Sequence, residues 1–499
     1  MTLARARSLP AAARRPYVRR WQSAAAGLQP QVVPLIVLGL AVAAAGVASD
    51  WIAGAGVVVL GLIWFLLSMD GEPPVLPLAV SFQWVQVTCG VYYLVFTGRE
   101  LEAHYASDYR PMVLIGLGCV TALTVGLAIG LKASRAQWKS TGGDNSFTVS
   151  WRTLTIAYLT STFTNAILYE IAWSAPGLTQ GLIAIGFVRL GVLFLMFRRL
   201  VRHRLRWEWF LGLLFIELML GFTGYFASFR EPLMLAVLAL LEVFRPRSPA
   251  HWLRIAFVAC LIGVTGLTWI GIRTVYRSEI DAGELTDSRV ERLGRVGELS
   301  SEWFGSDASA VVRDLDRLVE RLWVIYYPAL AVSRVPAVLP HENGAIMQAA
   351  LQHIVTPRIL FPDKGVVASD SEMVRKYSGV FVASTEEGTS IAFGYAAESY
   401  VDFGLPWMFV PSIVFGIVMG SAYRAVFRVI HHRELAVGLA CVVFWLTLYL
   451  FERSWLKTLG LSGTLLIYIG GLVFVMDRML LAHEAKMRAR VQRFARGRR

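Results

Sequence analysis

The sequence has 499 residues, of which 56% are hydrophobic and only 17% charged, and this composition excludes an ordinary soluble globular protein. Its formal net charge of +13 would suit a nucleic-acid-binding protein if the basic residues clustered on one face. Instead, 29 of the 48 Lys and Arg residues fall in six segments of the chain, which alternate with segments that contain few basic residues. This distribution is typical of the cytoplasmic loops of a membrane protein and argues against nucleic acid as a partner.

Twelve apolar segments follow one another along the chain, and most of them carry no charge. Their lengths are close to the roughly 17 to 25 residues that a helix needs to cross a bilayer. Backbone groups in lipid must be satisfied within the segment, so the spans are predicted as helices. The first is interpreted as a retained helix because a second span follows it directly. The predicted spans are 31–49, 51–68, 75–97, 111–131, 153–173, 179–197, 208–228, 231–245, 254–272, 405–423, 435–451 and 461–477.

The loop charges predict one topology for these spans. With the N-terminus in the cytoplasm, all six basic segments are cytoplasmic, and so are both termini. The fold class is therefore an all-α polytopic membrane protein of about twelve transmembrane helices with one large outward loop domain. The predicted divisions are a basic N-terminus (1–30), spans one to nine (31–273), the outward loop domain (274–404), spans ten to twelve (405–477) and a basic C-terminus (478–499).

In the outward loop domain the charge balance reverses. From Arg273 to residue 404 there are 19 acidic residues against 13 basic ones. Apolar residues recur at spacings of three and four within 290–299 and 311–322, which predicts amphipathic helices on the membrane face or over the bundle. Trp323 and the tyrosines that follow it are of the type that occurs at a membrane interface.

Metal chemistry is not indicated by the sequence. Asp314 and Asp316 form an Asp-x-Asp pattern, but residues two apart do not share a helix face. The four cysteines all lie in apolar segments without a metal-ligand spacing, so they are interpreted as small core residues. No cofactor is expected.

Two charges lie inside predicted spans. Arg189 is nine residues before Arg198, and Glu217 is eleven residues after Arg206. At about 1.5 Å per residue both lie roughly 13 to 17 Å deep from the same side. An ion pair between adjacent helices is the preferred interpretation, and a polar pathway through the bundle is the alternative.

Arg230 lies in a tight outward hairpin between spans seven and eight, followed by Pro232, which suits a first helical turn. One interpretation is a membrane-surface anchor whose charge reaches water. The other is a clamp that binds an anion at the mouth of a cavity.

Further candidate cations occur in the outward loop domain. The segment 356–365 holds Arg358 and Lys364 between two prolines, and such a stiff loop could direct both toward one phosphate. An ordinary solvated turn is the alternative. Arg375 and Lys376 either join the same basic patch or belong to the surface.

Glu398 lies just before span ten and is the one carboxylate between Glu387 and Asp402. Close to the membrane it would be partly desolvated, which would raise its pKa toward the range of a general base. A helix-surface glutamate without a role is the alternative. The last outward loop contains Glu452 and Arg453, and Arg453 is another possible cation.

Residues 208–455 resemble the Wzy-type oligosaccharide repeat-unit polymerases of bacterial envelopes. The resemblance rests on Ser228 and Arg230 in the hairpin, on the Pro-Arg-x-Leu-x-Pro-x-Lys run at 357–364, and on Gly394 to Glu398 followed by Phe403-Gly404 and a span. The helix number and the single large outward loop add to it.

The resemblance implies a metal-independent, GT-C-like glycosyltransferase at the periplasmic face of the bacterial inner membrane. Its substrate would be a polyprenyl-diphosphate-linked oligosaccharide, and its neighbours would be membrane lipids, a flippase and a chain-length regulator. Glu398, Arg230 and Arg358 would be catalytic, and Lys364, Arg375, Lys376 and Arg453 would bind substrate.

Other functions remain open from the sequence. An O-antigen ligase or another polyprenyl-linked glycosyltransferase is the nearest alternative, although His341 and His353 do not lie in the ligase pattern. A polysaccharide transporter is the rival from another class, but the sequence shows neither repeated halves nor matching broken spans. A non-catalytic assembly or sensor protein of the envelope is the remaining alternative, and it would not need Arg230, Arg358 and Glu398 to converge on one cavity.

Overall fold

A computed structural model describes residues 32–69, 72–105, 109–133, 149–174, 177–202, 207–223, 229–244, 248–283, 285, 288–356, 361, 365, 367–383 and 390–496. These residues form twenty helices, and no strand occurs among them. In chain order the helices are α1 (Val32–Ala48), α2 (Trp51–Leu67), α3 (Val75–Thr97), α4 (Glu102–Tyr105), α5 (Arg110–Ala133), α6 (Trp151–Ser174), α7 (Thr179–Gly186), α8 (Val188–Arg202), α9 (Trp207–Phe222), α10 (Arg230–Glu242), α11 (Pro249–Asp281), α12 (Arg289–Phe304), α13 (Ala308–Leu322), α14 (Tyr326–Arg334), α15 (Ala345–Val355), α16 (Asp370–Ser378), α17 (Gly394–Phe403), α18 (Phe409–Val429), α19 (Arg433–Leu448) and α20 (Trp455–Arg496).

Each of the twelve predicted apolar segments overlaps with a helix. Six helical stretches in the described part of the chain are long and apolar enough to cross a membrane, namely Val75–Thr97, Arg110–Lys132, Thr179–Arg202, Pro249–Asp281, Phe409–Val429 and Trp455–Arg490. The all-helical fold with several candidate membrane spans is thus confirmed. The predicted span 179–197 is carried by α7 and α8, which are separated by a turn at Phe187.

Helices α5 and α18 pack closely against each other in the bundle. Each helix presents two glycines four residues apart, Gly126 and Gly130 on α5 and Gly416 and Gly420 on α18. A Cβ on any of the four would lie 2.3 to 2.6 Å from a backbone oxygen of the facing helix. Small residues at this spacing let membrane helices approach closely, so these glycines fix the contact.

The intramembrane charges form a pair. The Arg189 guanidinium contacts the carboxylate of Glu217, whose side chain is 1% exposed, and the Tyr158 hydroxyl donates to the other carboxylate oxygen. The predicted ion pair is confirmed. Because Glu217 has two partners, its buried charge is compensated.

Ion pairs between distant segments define two ends of the bundle. At the loop end, where the described part of 274–404 lies, the pairs are Asp50–Arg110, Arg99–Asp316, Arg321–Glu452 and Asp370–Lys457. At the tail end, near the start of the C-terminal tail, they are Glu72–Arg424, Arg198–Glu242, Arg198–Glu434 and His432–Asp477.

Shorter helices also run between these two ends. α10 begins at Arg230, which contacts Tyr449 at the loop end, and ends at Glu242, which pairs with Arg198 at the tail end. α19 starts next to Glu434 at the tail end and ends just before Tyr449. α2 lies between Asp50, which pairs at the loop end, and Glu72, which pairs at the tail end. At about 1.5 Å per residue these helices are about 20 to 26 Å long.

The segment 274–404 contains the predicted amphipathic helices, α12 and α13, both packed against α11. The placement of Trp323 differs from the prediction. Its side chain is 2% exposed, its ring lies where a Cβ on Gly90 would be, and its Nε1 donates to the carbonyl of Val87 at 2.9 Å. Trp323 therefore packs inside the bundle against α3 and does not lie at an interface.

Candidate functional site

Arg230 lies at the first turn of α10, at the loop end. Its Nη2 donates to the Tyr449 hydroxyl at 2.6 Å, and its guanidinium carbon lies 4.8 Å from the centre of the Tyr449 ring. Glu231 is 3.4 Å away, and 42% of the Arg230 side chain is exposed. The guanidinium is therefore held in place on one side and open to solvent on the other.

Arg453 shares the same tyrosine. Its guanidinium carbon lies 5.7 Å from the Tyr449 ring centre, and its Nη1 donates to the carbonyl of Leu446 at 2.9 Å. Trp445 stacks on Tyr449, with 4.9 Å between ring centres and 14° between ring planes, and so fixes the tyrosine. Burial, and in addition the charge of Arg230, lower the pKa of Arg453. Two cations are thus held beside one rigid aromatic ring.

The segment 451–455 carries Arg453 and is attached to α17. The amide of Tyr395 donates to the carbonyl of Arg453 at 2.9 Å. Gly394, the first residue of α17, has a φ of 87°, and a Cβ there would lie 2.7 Å from the carbonyl oxygen of Phe451. Both the positive φ and the close approach favour glycine at this position.

Glu398 lies one turn further along α17, and only 5% of it is exposed. Its Oε2 accepts the amide of Trp455 at 2.6 Å, so it satisfies a free backbone donor at the start of α20. Ser399 supports the same contact by accepting the Trp455 indole Nε1–H at 2.7 Å. Burial raises the pKa of Glu398 to about 8, while the Trp455 amide acts in the opposite direction.

The charged groups that act on Glu398 are Asp370, Asp402 and Lys457. The Lys457 ammonium lies 2.7 Å from Asp370. The segment 451–455 is attached to α17 at two points. The Arg453 carbonyl accepts the Tyr395 amide, and the Trp455 amide donates to Glu398. The structure brings Arg230 and Arg453 together at Tyr449. It places Glu398 of α17 in a buried position against Trp455, two residues after Arg453.

The remaining predicted cations differ in their surroundings. Arg375 donates through Nε and Nη2 to the carbonyl of Val382 at 2.8 and 2.6 Å, and its guanidinium lies 4.3 Å from the Phe381 ring centre. Lys376 pairs with Glu342 at 2.8 Å. Both side chains are thus occupied within the outward loop domain. Arg358, Lys364 and Ser228 lie outside the described residues.

A small, mostly apolar cavity lies next to Trp455, between α3, α5, α17, α18, α19 and α20. Its polar lining includes Gln83, Ser412 and Thr447. The Tyr395 hydroxyl donates to Gln83 Oε1 at 2.7 Å, and Gln83 Nε2 donates to the carbonyl of Leu448. These bonds hold the end of α19, and so Tyr449, against α3 and α17.

The sequence did not indicate Tyr449 as a site residue. A tyrosine at the end of an apolar span is normally interpreted as an interface residue. Its nearness to Arg453 in the sequence, four residues away, was the available signal.

The chain matches no protein-family model, no curated protein and no solved structure.

Proposed function

We propose that the chain is a membrane glycosyltransferase that polymerises polyprenyl-diphosphate-linked oligosaccharide repeat units at the periplasmic face of the bacterial inner membrane. The observation that carries the proposal is the convergence of Arg230 and Arg453 on Tyr449 at the loop end of an apolar bundle. A substrate with a polyprenyl tail and a diphosphate needs cations where lipid meets water. The loop end offers them there.

The proposal includes a GT-C-like bundle with twelve crossings and both termini in the cytoplasm. It is supported by α2, α10 and α19, which join the two ends of the bundle although they are shorter than the six long spans. Adding α1, α6 and α9, whose apolar sequences match predicted spans, gives twelve. The basic residues near Arg198 and Arg424 lie at the tail end, which would then face the cytoplasm.

The two guanidinium groups would bind the diphosphate of the donor. Arginine stays charged at any physiological pH, and its fork-shaped donor set matches phosphate oxygens. Negative charge grows on the bridging oxygen as the diphosphate leaves. Fixed cations in a site from which water is partly excluded stabilise that charge more strongly than bulk water does.

In the proposed step, a hydroxyl oxygen of the acceptor sugar attacks the anomeric carbon of the donor. The bond between that carbon and the diphosphate oxygen breaks, and its electron pair leaves with the diphosphate. Glu398 is the candidate acceptor for the hydroxyl proton, because a carboxyl with a pKa of about 8 is a stronger base than an ordinary one. Its contact with Trp455 gives a competing structural role, so Glu398 needs its own test.

The experiment uses a host strain that lacks the endogenous copy and is complemented with variants. Arg230→Ala and Arg453→Ala should each accumulate a single lipid-linked repeat unit in place of long polymer, with unchanged membrane levels. Arg313→Ala, which removes an exposed cation of α13, is the matched control and should make normal polymer. Normal polymer from both site variants would refute the proposal.

A further inference from the structure

A second group of cations lies at the loop end, between α11 and α13. Arg273 and Arg277 are four residues apart on α11, and Arg317 and Arg321 are four residues apart on α13. Residues at this spacing share a helix face. The charges of Arg277, Arg321 and Arg317 all act on Arg273, so the two pairs lie close together. We call these four residues the arginine cluster.

The two helices that carry the arginine cluster are held in fixed contact. A Cβ on Gly271 would lie 2.9 Å from Asp314 Oδ2 and 2.4 Å from the Trp303 ring, so α11 approaches α13 and α12 closely there. Trp303 Nε1 donates to Asp314 Oδ2 at 2.8 Å. The helix backbone that carries the arginine side chains is therefore rigid, so ligand binding requires no rearrangement of the two helices.

The charge that matters in the cluster is that of Arg273, because no carboxylate among the described residues balances it. Arg317 pairs with Asp314 at 3.0 Å, and Arg321 pairs with Glu452 at 3.2 Å. Among the described residues no carboxylate lies within ion-pair distance of Arg273, which is half-buried. The neighbouring arginines repel the charge of half-buried Arg273, and a bound anion would offset that repulsion. The outward loop domain is acidic as a whole, so this local excess of positive charge stands out.

We propose that the arginine cluster is an anion site that binds a phosphate group at the membrane surface. It lies at the outer end of α11, a candidate membrane span, which is the depth at which lipid phosphates occur. Guanidinium groups on two helices can bind several oxygens of one phosphate.

The site is separate from Arg230 and Arg453. Glu452 lies between the two groups, since it pairs with Arg321 and its charge also acts on Arg230 and Arg453. The inference does not depend on the proposed glycosyltransferase function, because it uses only the local charge imbalance and the position of the cluster.

The test is ligand binding by the purified full-length protein in a neutral maltoside detergent, followed by native mass spectrometry. The probes are phosphatidic acid and inorganic phosphate. Loss of two charge-assisted hydrogen-bond donors should weaken binding of phosphatidic acid by about tenfold or more in Arg273→Gln/Arg321→Gln. Arg313→Gln, an exposed arginine of α13 outside the cluster, should bind like the wild type.

Two further readings complete the test. Displacement of phosphatidic acid by millimolar inorganic phosphate would identify free phosphate as a sufficient ligand, and its failure would identify a lipid headgroup. Without ligand, Arg273→Gln should unfold at a higher temperature than the wild type, because the substitution removes charge repulsion.

Equal binding of phosphatidic acid by the wild type and the double variant would overturn the proposal, as would a lower unfolding temperature for Arg273→Gln. Arg230→Ala should retain the cluster-dependent binding, so failure of the proposed function and failure of the arginine cluster can be told apart.

Discussion

Replacement of Glu398 by glutamine tests whether a buried carboxyl titrates near neutral pH. Burial raises the pKa of Glu398 from an ordinary 4.5 to about 8. Between these values the unfolded chain loses the proton and the folded protein keeps it, so the stability of the folded state falls as pH rises. The slope approaches about 1.4 kcal/mol per pH unit, which gives a loss on the order of 3 kcal/mol between about pH 5 and pH 8. Above about pH 8 this contribution is constant.

Glutamine keeps an oxygen that can accept the Trp455 amide but removes the titration. The assay is thermal unfolding in a non-ionic detergent, followed by intrinsic fluorescence over this pH range. The stability of Glu398→Gln relative to the wild type should increase as pH rises, whereas Glu302→Gln, which alters an exposed carboxylate, should show a constant difference. A constant difference for Glu398→Gln would refute the argument for a raised pKa.

The same variant separates the two roles of Glu398. If the carboxylate accepts the substrate proton, wild-type transfer should rise with pH as Glu398 ionises, and Glu398→Gln should lose polymer while remaining folded. Normal polymer from a folded Glu398→Gln protein would mean that Glu398 only caps the start of α20 and does not accept the substrate proton.

Two further predictions concern packing. Gly394→Ala should destabilise the protein by more than about 1 kcal/mol, because its φ of 87° is strained for alanine and the new Cβ would meet the Phe451 carbonyl. Gly460→Ala, where no atom lies within 4 Å of the new Cβ, should be neutral or stabilising in thermal unfolding, and equal effects at the two sites would contradict this account. Arg189→Glu and Glu217→Arg should each lower the yield of folded protein in size-exclusion chromatography, since a lone buried charge costs about 3 to 5 kcal/mol. The double exchange should restore folded protein, and no rescue would count against the ion pair.

The apolar segments could be predicted from the sequence because the bilayer imposes length and composition on each helix separately. The ion pair between Arg189 and Glu217 could also be predicted, because the helix rise alone sets the depth of both residues. The glycines of α5 and α18 lie four residues apart on each helix, a spacing that is typical of closely packed membrane helices. The spacing does not indicate which two helices contact each other.

The candidate site depended on contacts that span hundreds of residues. The contact between Arg230 and Tyr449 joins α10 to α19, and no local pattern indicates that pairing. The outward position of Glu398 was predicted, but its burial against Trp455 follows from the packing of α17 on α20. Arg375 and Lys376 were grouped with the other cations by charge alone, and their bonds to Val382 and Glu342 show why charge was insufficient.

Reconstitution would test whether this chain lengthens a lipid-linked glycan. Purified protein in vesicles would receive, as its only substrate, the polyprenyl-diphosphate-linked repeat unit extracted from the strain that lacks the protein. The wild-type protein should give a ladder of longer glycans together with released polyprenyl diphosphate, and Arg230→Ala/Arg453→Ala should give neither product. A repeat unit that remains a single unit, or that only crosses the vesicle membrane intact, would contradict the proposed function.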